Sequence, residues 1–433
     1  MKHLLANIQR LITAVLLLLI GGFLGYNLGV NGYDVHLKKS LKPVEITNKT
    51  PKIETSVDFD RFWTVWDQVS TGHIARPFDS NTLVDGAIKG MVESIGDPYS
   101  VYLTKEENSA THDSLNGKYQ GIGAQLGFDE NERLMIVTPL DGSPAEKAGV
   151  RAGDLIIAIE GKDTTGYSIQ KAVGLIRGEA GTVSHLTLYR KDVDKPIEVS
   201  ITRETIVLPS VKWEDKGDGI VYIRLSRFGA DTNDAWKEAV NEIIDQVPNL
   251  SGIVLDVRNN PGGYLDSAVV IGSEFVSNGN VVVEDFSDGT QNPSKALSGG
   301  KFTNKKVPVA VLINGGSASA AEIVAGALKE SRDAVLVGER SFGKGTVQKS
   351  EEYDDGAALH ISIAKWLTPN GNWVNKHNAT LNDSVYNERI DGEDVIGGLK
   401  PDYEVEITED DVKNKKDPQL DKAIEIVKTG FKN

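Results

Sequence analysis

The chain has no cysteine. That absence excludes disulfides, thiolate metal sites, a cysteine nucleophile and a lipid-modified cysteine anchor. An excess of base is missing too: 47 Lys and Arg stand against 62 Asp and Glu, for a formal charge of −15. This argues against a nucleic-acid partner, because phosphate neutralisation needs cations in excess. Histidine is scarce. Of the seven, only His360 lies in a regular element of the α/β region, where it alternates like an ordinary strand residue. A Ser-His-Asp site is therefore disfavoured. Repeats and low-complexity blocks are absent.

What is present begins with an uncharged run after Lys2 and Arg10. As a helix, residues 11–30 would span ~30 Å, the thickness of a bilayer's hydrocarbon core. Positive charge before the run predicts a cytoplasmic N-terminus (1–10), a transmembrane anchor (11–30) and an extracytoplasmic remainder. A cleaved signal peptide is the alternative; the run is long for one and no Ala-x-Ala site follows. Residues 31–56 are polar and read as a linker. In 57–117, Phe59, Phe62, Trp63, Trp66 and Val69 recur at helical spacing, as do Leu83, Ala87, Met91 and Ile95, predicting two amphipathic helices and allowing a homodimer. Asp97-Pro98 ends the second.

Residues 118–205 form a compact module. A glycine-bounded turn, Gly121-Ile122-Gly123-Ala124, runs into a strand. Strands are expected at 134–137, 153–161 and 186–189, and helices at 143–150 and 169–176. The order, with Pro144-Ala145 and Ala148-Gly149-Val150 ahead of Gly153-Asp154, resembles a PDZ domain. The resemblance implies that Gly121, Ile122, Gly123 and Ala124 capture a peptide's terminal carboxylate while the peptide adds to a sheet edge.

From 206 to 433 apolar strands alternate with helices, which predicts an α/β core. A buried strand over 307–313 leads into a small-residue turn and then a helix, placing Ser319 at the helix N-terminus, where unpaired amides can hold an oxyanion. Ser319-Ala320-Ala321-Glu322 also fits a capping box that would merely close the helix. Lys344, Thr346 and Gln348 alternate onto one face of an extended stretch. Lysine can serve a serine as base if burial lowers its pKa. Residues 338–344 also match a phosphate-binding loop up to its lysine, but Gly345 stands where Ser or Thr would hold magnesium.

These motifs together, with Asp256-Val257-Arg258-Asn259-Asn260-Pro261-Gly262-Gly263 upstream, resemble the tail-specific (C-terminal processing) serine peptidases. Asp97-Pro98-Tyr99-Ser100 and Lys400-Pro401-Asp402 fit as well. The resemblance implies an α/β catalytic core of crotonase/ClpP-like type with an inserted PDZ domain. It implies Ser319 as nucleophile, Lys344 as general base and Gln348 as the residue orienting it. Ser317 would be out of register with the family's Ser-to-Lys spacing. The oxyanion amides would be those of Ala320 and of Gly262 or Gly263. No metal and no cofactor are implied. The function expected is an extracytoplasmic, membrane-anchored endopeptidase acting on proteins or peptides with free C-terminal tails. The alternative is a catalytically silent, tethered PDZ scaffold.

Overall fold

The computed structural model describes residues 13–26, 33–36, 45–48, 59–129, 131–140, 142–191, 193, 195–375, 397–408, 410–411, 414 and 416–430. The chain divides into two compact units, 1–83 and 84–433.

In the first unit a helix (α1) covers 13–26, inside the expected anchor; 11–12 and 27–30 lie outside the described residues. Among the described residues no helix is long and apolar enough to cross a membrane. Within the expected linker, Tyr33–His36 (β1) and Glu45–Asn48 (β2) pair antiparallel, with Val35 opposite Ile46. Two short β-rich segments thus find a partner that composition alone does not show. Helix α2, Asp60–Gly72, carries the aromatic stripe and buries none of its residues.

The second unit is entered by α3, Ser80–Glu93. Its inner face keeps only the first half of the expected stripe: Leu83 and Ala87 are half-buried, but Met91 and Ile95 are exposed, while Val92 is buried with Ile88 against Tyr102 and Ala357. The strand β3, Val101–Leu103, follows the Asp97-Pro98 break and later pairs with a distant strand; α4, Lys105–Leu115, is capped by Thr104 and Glu107.

The module then closes on itself through an antiparallel pair, β4 (Lys118–Gly121) with β11 (Glu204–Val207). Between them lie β5 (Ala124–Phe128), β6 (Leu134–Pro139), α5 (Pro144–Lys147), β7 (Leu155–Ile159), β8 (Lys162–Asp163), α6 (Ile169–Ile176), β9 (Val183–Tyr189) and β10 (Ile197–Thr202). The sheet order is β10-β9-β7-β6-β5, with β8 on β7, so β5 is an edge. Inward-facing Ile136, Ile156, Ile159, Leu186 and Leu188 fill its core with Ala172 of α6.

The larger core follows the module. Its elements are β12 (Val211–Asp215), β13 (Ile220–Leu225), α7 (Thr232–Gln246), β14 (Gly252–Asp256), α8 (Leu265–Phe275), a hairpin β15 (Asn280–Phe286) and β16 (Gln291–Lys295), β17 (Val309–Ile313), α9 (Ala320–Arg332), β18 (Val335–Gly338), β19 (Thr346–Glu352), β20 (Ala358–Leu367), β21 (Tyr403–Glu404) and α10 (Pro418–Thr429). The order is β12-β13-β14-β17-β18-β21, parallel throughout except for β12. Every residue of β14 and β17 is buried. Both strands are covered on two faces, which is why they read as unbroken apolar runs. Ile253, Leu255, Val309 and Val311 face α7, α8 and α9, whereas Val254, Ala310 and Leu312 face α10. A further sheet, β16-β15-β20-β19, takes β3 onto β20.

Candidate active site

Parallel strands end together, and the crevice beyond their carboxyl ends is where an α/β sheet holds ligands. Here β14 runs out into residues 257–264 and β17 into residues 314–319. Ser319 precedes α9 at φ 53°, ψ −117°. A left-handed φ is uncommon for a residue with a Cβ and is retained where the surroundings enforce it. Three contacts do so. The Ser319 N–H donates to Glu322 Oε2 at 2.9 Å, the Ala318 N–H donates to the Asn260 carbonyl at 2.9 Å, and the Phe342 N–H donates to the Ser317 carbonyl at 2.9 Å. Ser317, the neighbouring hydroxyl, is fully buried; it donates to the Val257 carbonyl at 2.8 Å and accepts from the Asn314 N–H at 3.0 Å. Its hydroxyl ties two strand ends together, while Ser319 is partly open to solvent.

The glycine turn lies against Ser319. A Cβ on Gly262 would stand 2.9 Å from Ser319 Cβ and 3.0 Å from the Ala320 nitrogen, and φ there is 95°. Only glycine lets this turn approach so closely. Asn260 shapes it: Oδ1 accepts the Gly262 N–H at 2.9 Å and Nδ2 donates to the Leu225 carbonyl at 2.9 Å. The Gly262 amide is therefore committed. Among the described residues the amides of Gly263 and Ala320 carry no hydrogen bond. Upstream, Asp256 holds Tyr222 and Arg258, and Arg258 reaches Asp417 at 2.8 Å, which locks the end of β14 to the start of α10. Burial opposes the Arg258 charge, but its hydrogen bonds to Asp417 and Asp256 prevail and hold its pKa above the ordinary value.

Lys344 comes from the loop between β18 and β19. Its N–H donates to Glu322 Oε2 at 2.9 Å, the same oxygen that takes the Ser319 N–H. The two backbone nitrogens are thus no farther apart than two such bonds end to end. Glu322 Oε1 accepts the Gly343 N–H at 2.7 Å and the Ser341 hydroxyl at 2.6 Å. Burial pushes the Glu322 carboxyl up, against the pull of these four donors. The loop's amides are spent on the protein's own carboxylate, and a strand rather than a helix follows, so this is no phosphate-binding loop. Indole N–H groups pin the far side: Trp366 donates to the Lys344 carbonyl and Trp373 to the Gly345 carbonyl, each at 2.7 Å.

The Lys344 ammonium lies 5.2 Å from the centre of the Tyr99 ring. Burial pushes its pKa below the ordinary lysine value; the carboxylates of Asp97 and Glu322 pull the other way. Gln348 sits on the same strand face as Thr346, and its Nε2 donates to Thr346 Oγ1 at 2.8 Å and Ser362 Oγ at 3.1 Å. Among the described residues no hydrogen bond joins the Ser319 hydroxyl to Lys344, or Gln348 to Lys344. Sequence reasoning singled out Ser319, Lys344, Gln348 and the glycine turn. It saw in Glu322 only a helix cap and missed Asn260 and Ser362; the signal for Glu322 was its place three residues after Ser319. Replacing Glu322 by alanine leaves four donors without a partner, two of them buried, so a loss of about 3 kcal/mol is expected, read by thermal or denaturant unfolding.

At the edge of the module, Gly121, Ile122, Gly123 and Ala124 lie at one end of a groove of about 310 Å³ between β5 and α6, with Val173, Ile176 and Arg177 on the helix side. The carbonyls of Ile122 and Gly123 accept from Ala145 and Leu140, which fixes the loop. Gly123 has φ 74°, and a Cβ there would meet Ser143 Cβ at 2.5 Å. A larger cleft of about 1050 Å³ shares Tyr119, Arg177 and Leu208 with this groove and reaches Pro261, beside the glycine turn.

Comparison with known proteins agrees with this architecture. Residues 219–385 match the model of peptidase family S41, residues 135–190 that of a PDZ domain, and residues 18–107 that of the activating protease CtpB N-terminal domain. The chain is similar to the carboxy-terminal processing protease CtpA of Bacillus subtilis, 39% identical over 73% of this chain and 67% of that one. It is 40% identical to the carboxy-terminal-processing protease of Bartonella bacilliformis over 72% of this chain and 71% of that one. A solved structure assigned to an S41 protease of Bacteroides fragilis shares the fold, with a TM-score of 0.54 at 18% identity, over 89% of this chain and 100% of that one. The chain belongs to peptidase family S41. It is a serine-type peptidase of the carboxy-terminal processing group.

Proposed function

We propose that the protein is an extracytoplasmic endopeptidase, anchored by its N-terminal apolar segment, that takes substrates by their free C-terminal tails and cleaves them with a serine–lysine pair. The observation carrying the mechanism is the single Glu322 oxygen that holds the backbones of both Ser319 and Lys344. Neutral Lys344 takes the Ser319 proton as Oγ attacks the peptide carbonyl carbon. The resulting oxyanion lies between the two uncommitted amides, Ala320 and Gly263, while Gly262 shapes the turn. The Lys344 ammonium then protonates the leaving amine, giving an acyl-enzyme. Lys344 next activates a water, which releases the new carboxylate and restores Ser319. Gln348, its amide hydrogens already bound, has its carbonyl oxygen left to receive a Lys344 N–H and turn the lone pair towards Ser319.

The core's crotonase/ClpP-like affinity, single-pass membrane attachment and a homodimer through the exposed face of α2 belong to the same reading. Tail capture rests on the groove beside β5, an edge strand to which an extended peptide adds while the Ile122 and Gly123 amides meet its carboxylate. No observation favours the silent scaffold. The test is a disordered protein substrate prepared with a free or an amidated C-terminus. Amidation is expected to lower kcat/KM about tenfold or more, since it removes the charge that the loop receives. Equal cleavage of both forms would overturn tail recognition.

A further inference from the structure

The residues already assigned to the chemistry come from the core, after the PDZ module. One turn from before the module reaches the same place. Residues 97–100 follow α3 and lead into β3, which pairs with β20 so that Val101 faces His360. The pairing extends one step beyond β3: the Ser362 N–H donates to Ser100 Oγ at 3.1 Å. Ser100 is 4% exposed, and its hydroxyl donates to Asp97 Oδ2 at 2.6 Å. Asp97 Oδ1 accepts the Tyr99 N–H at 3.0 Å, which sets the turn. Tyr99 in turn lays its ring against the Lys344 ammonium.

The chain of contacts continues into the core. Ser362 Oγ accepts one Gln348 amide hydrogen, and Thr346 Oγ1 takes the other. With Nε2 on the two hydroxyl oxygens, the carbonyl oxygen is the group left to face an N–H donor. A primary amide free to rotate would present oxygen or nitrogen to the lysine indifferently. The anchor on Ser362 holds one arrangement, and the Ser362 backbone that carries this hydroxyl is itself held through Ser100 by Asp97.

We propose that the turn 97–100 is a positioning element of the catalytic site, in which Asp97 acts through Ser100 and Ser362 to fix the Gln348 amide beside Lys344. This rests on the serine–lysine reading given above. It assigns a catalytic purpose to a segment that the PDZ module separates from the core in sequence. Groups linked in this way, here partly through the Ser362 backbone N–H, act as a unit, so removing one link costs nearly as much as removing all.

Asp97 carries a second consequence. The charged and titratable groups facing Lys344 are Asp97 and Tyr99 from the turn, Glu322 from α9 and His360 from β20. Of these, Asp97 contributes attraction that favours the ammonium. Asn at 97 retains an acceptor for the turn and removes the charge.

The test uses the full chain and casein as a disordered substrate, with kcat and KM measured across pH. Asp97→Ala and Ser100→Ala are expected to lower kcat about tenfold with KM within about twofold, as loss of a positioned group does. In a Gln348→Ala background, on the pH plateau of kcat, the same changes should cost nothing further. Asp97→Asn should move the acidic limb of kcat to lower pH. If Asp97→Ala fails to fold, the cycle of Ser100→Ala with Gln348→Ala supplies the same comparison. Full additivity with Gln348→Ala, or wild-type kcat in both single variants, would overturn the proposal. An active Lys344→Ala protein would instead overturn the serine–lysine reading beneath it, so the two failures are distinct.

Discussion

A Ser319→Ala protein is expected to fold as the parent does and to lose proteolysis by on the order of 10⁵-fold or more, the scale seen when a covalent nucleophile is removed. The turn is held by backbone groups of Ser317, Ala318 and Ser319 and by the Glu322 carboxylate, all of which the variant keeps. Ser317→Ala should behave in the opposite way. Its hydroxyl bridges the Val257 carbonyl and the Asn314 amide in a fully buried position. Leaving those two groups unpaired should cost about 2 kcal/mol of stability while substantial activity remains. Unfolding curves and initial rates on one substrate separate the two serines. A stable, inactive Ser317→Ala beside an active Ser319→Ala would move the nucleophile two residues upstream.

Lys344→Met is the second large effect. Activity should fall about as far as in Ser319→Ala, because an alcohol without a base is a poor nucleophile. Stability should rise, by about 1 kcal/mol, since active sites hold groups that the fold alone would not choose. The sign follows from burial, which lowers the Lys344 pKa in the folded chain. Below that lowered pKa the folded protein carries a disfavoured ammonium, and the penalty is present in full. Between it and the ordinary lysine value the unfolded chain binds more protons, so this residue's penalty fades as pH rises. The gain in Lys344→Met is therefore largest on the acid side and vanishes above the ordinary value. Wild-type activity should run the same way and decline as pH falls through the Lys344 pKa. Melting temperatures and kcat/KM for both proteins over a pH series give both halves. A destabilised Lys344→Met, or a rate indifferent to pH, would count against a neutral amine.

Much of this was legible in sequence where one local pattern suffices. The apolar runs that became β14 and β17 are buried on both faces, and such strands show as unbroken hydrophobic stretches. The helix Ile169–Ile176 and the caps of α5 and α9 are short-range features written in adjacent residues. What escaped depends on pairing across the chain. β1 and β2 lie in a polar stretch and are strands only because each has the other. On α3 the expected face holds for Leu83 and Ala87 and fails beyond them: Val92 turns inward because Tyr102 and Ala357 lie beside it, and Met91 remains outside.

The site shows the same division. Ser319 and Lys344 announce themselves by small-residue turns and glycine flanks. Glu322 looks like half of a capping box, and its carboxylate does accept the Ser319 N–H. Its other oxygen contacts, to Ser341, Gly343 and Lys344, exist only once β18 brings the later loop over α9. The choice between Gly262 and Gly263 was open for a similar reason. The Asn260 side chain folds back to occupy the Gly262 amide, a contact that the spacing of the two glycines does not show.

The most direct measurement is of the amine itself. Lysine-specific ¹⁵N NMR of the Ser319→Ala protein, with Lys344→Met supplying the difference spectrum, would follow the Lys344 side-chain nitrogen across pH. An uncharged amine at pH values where the wild type is fully active is the predicted result. An ammonium that persists up to the ordinary lysine range, while the wild type is already active well below it, would show that some other group takes the serine's proton.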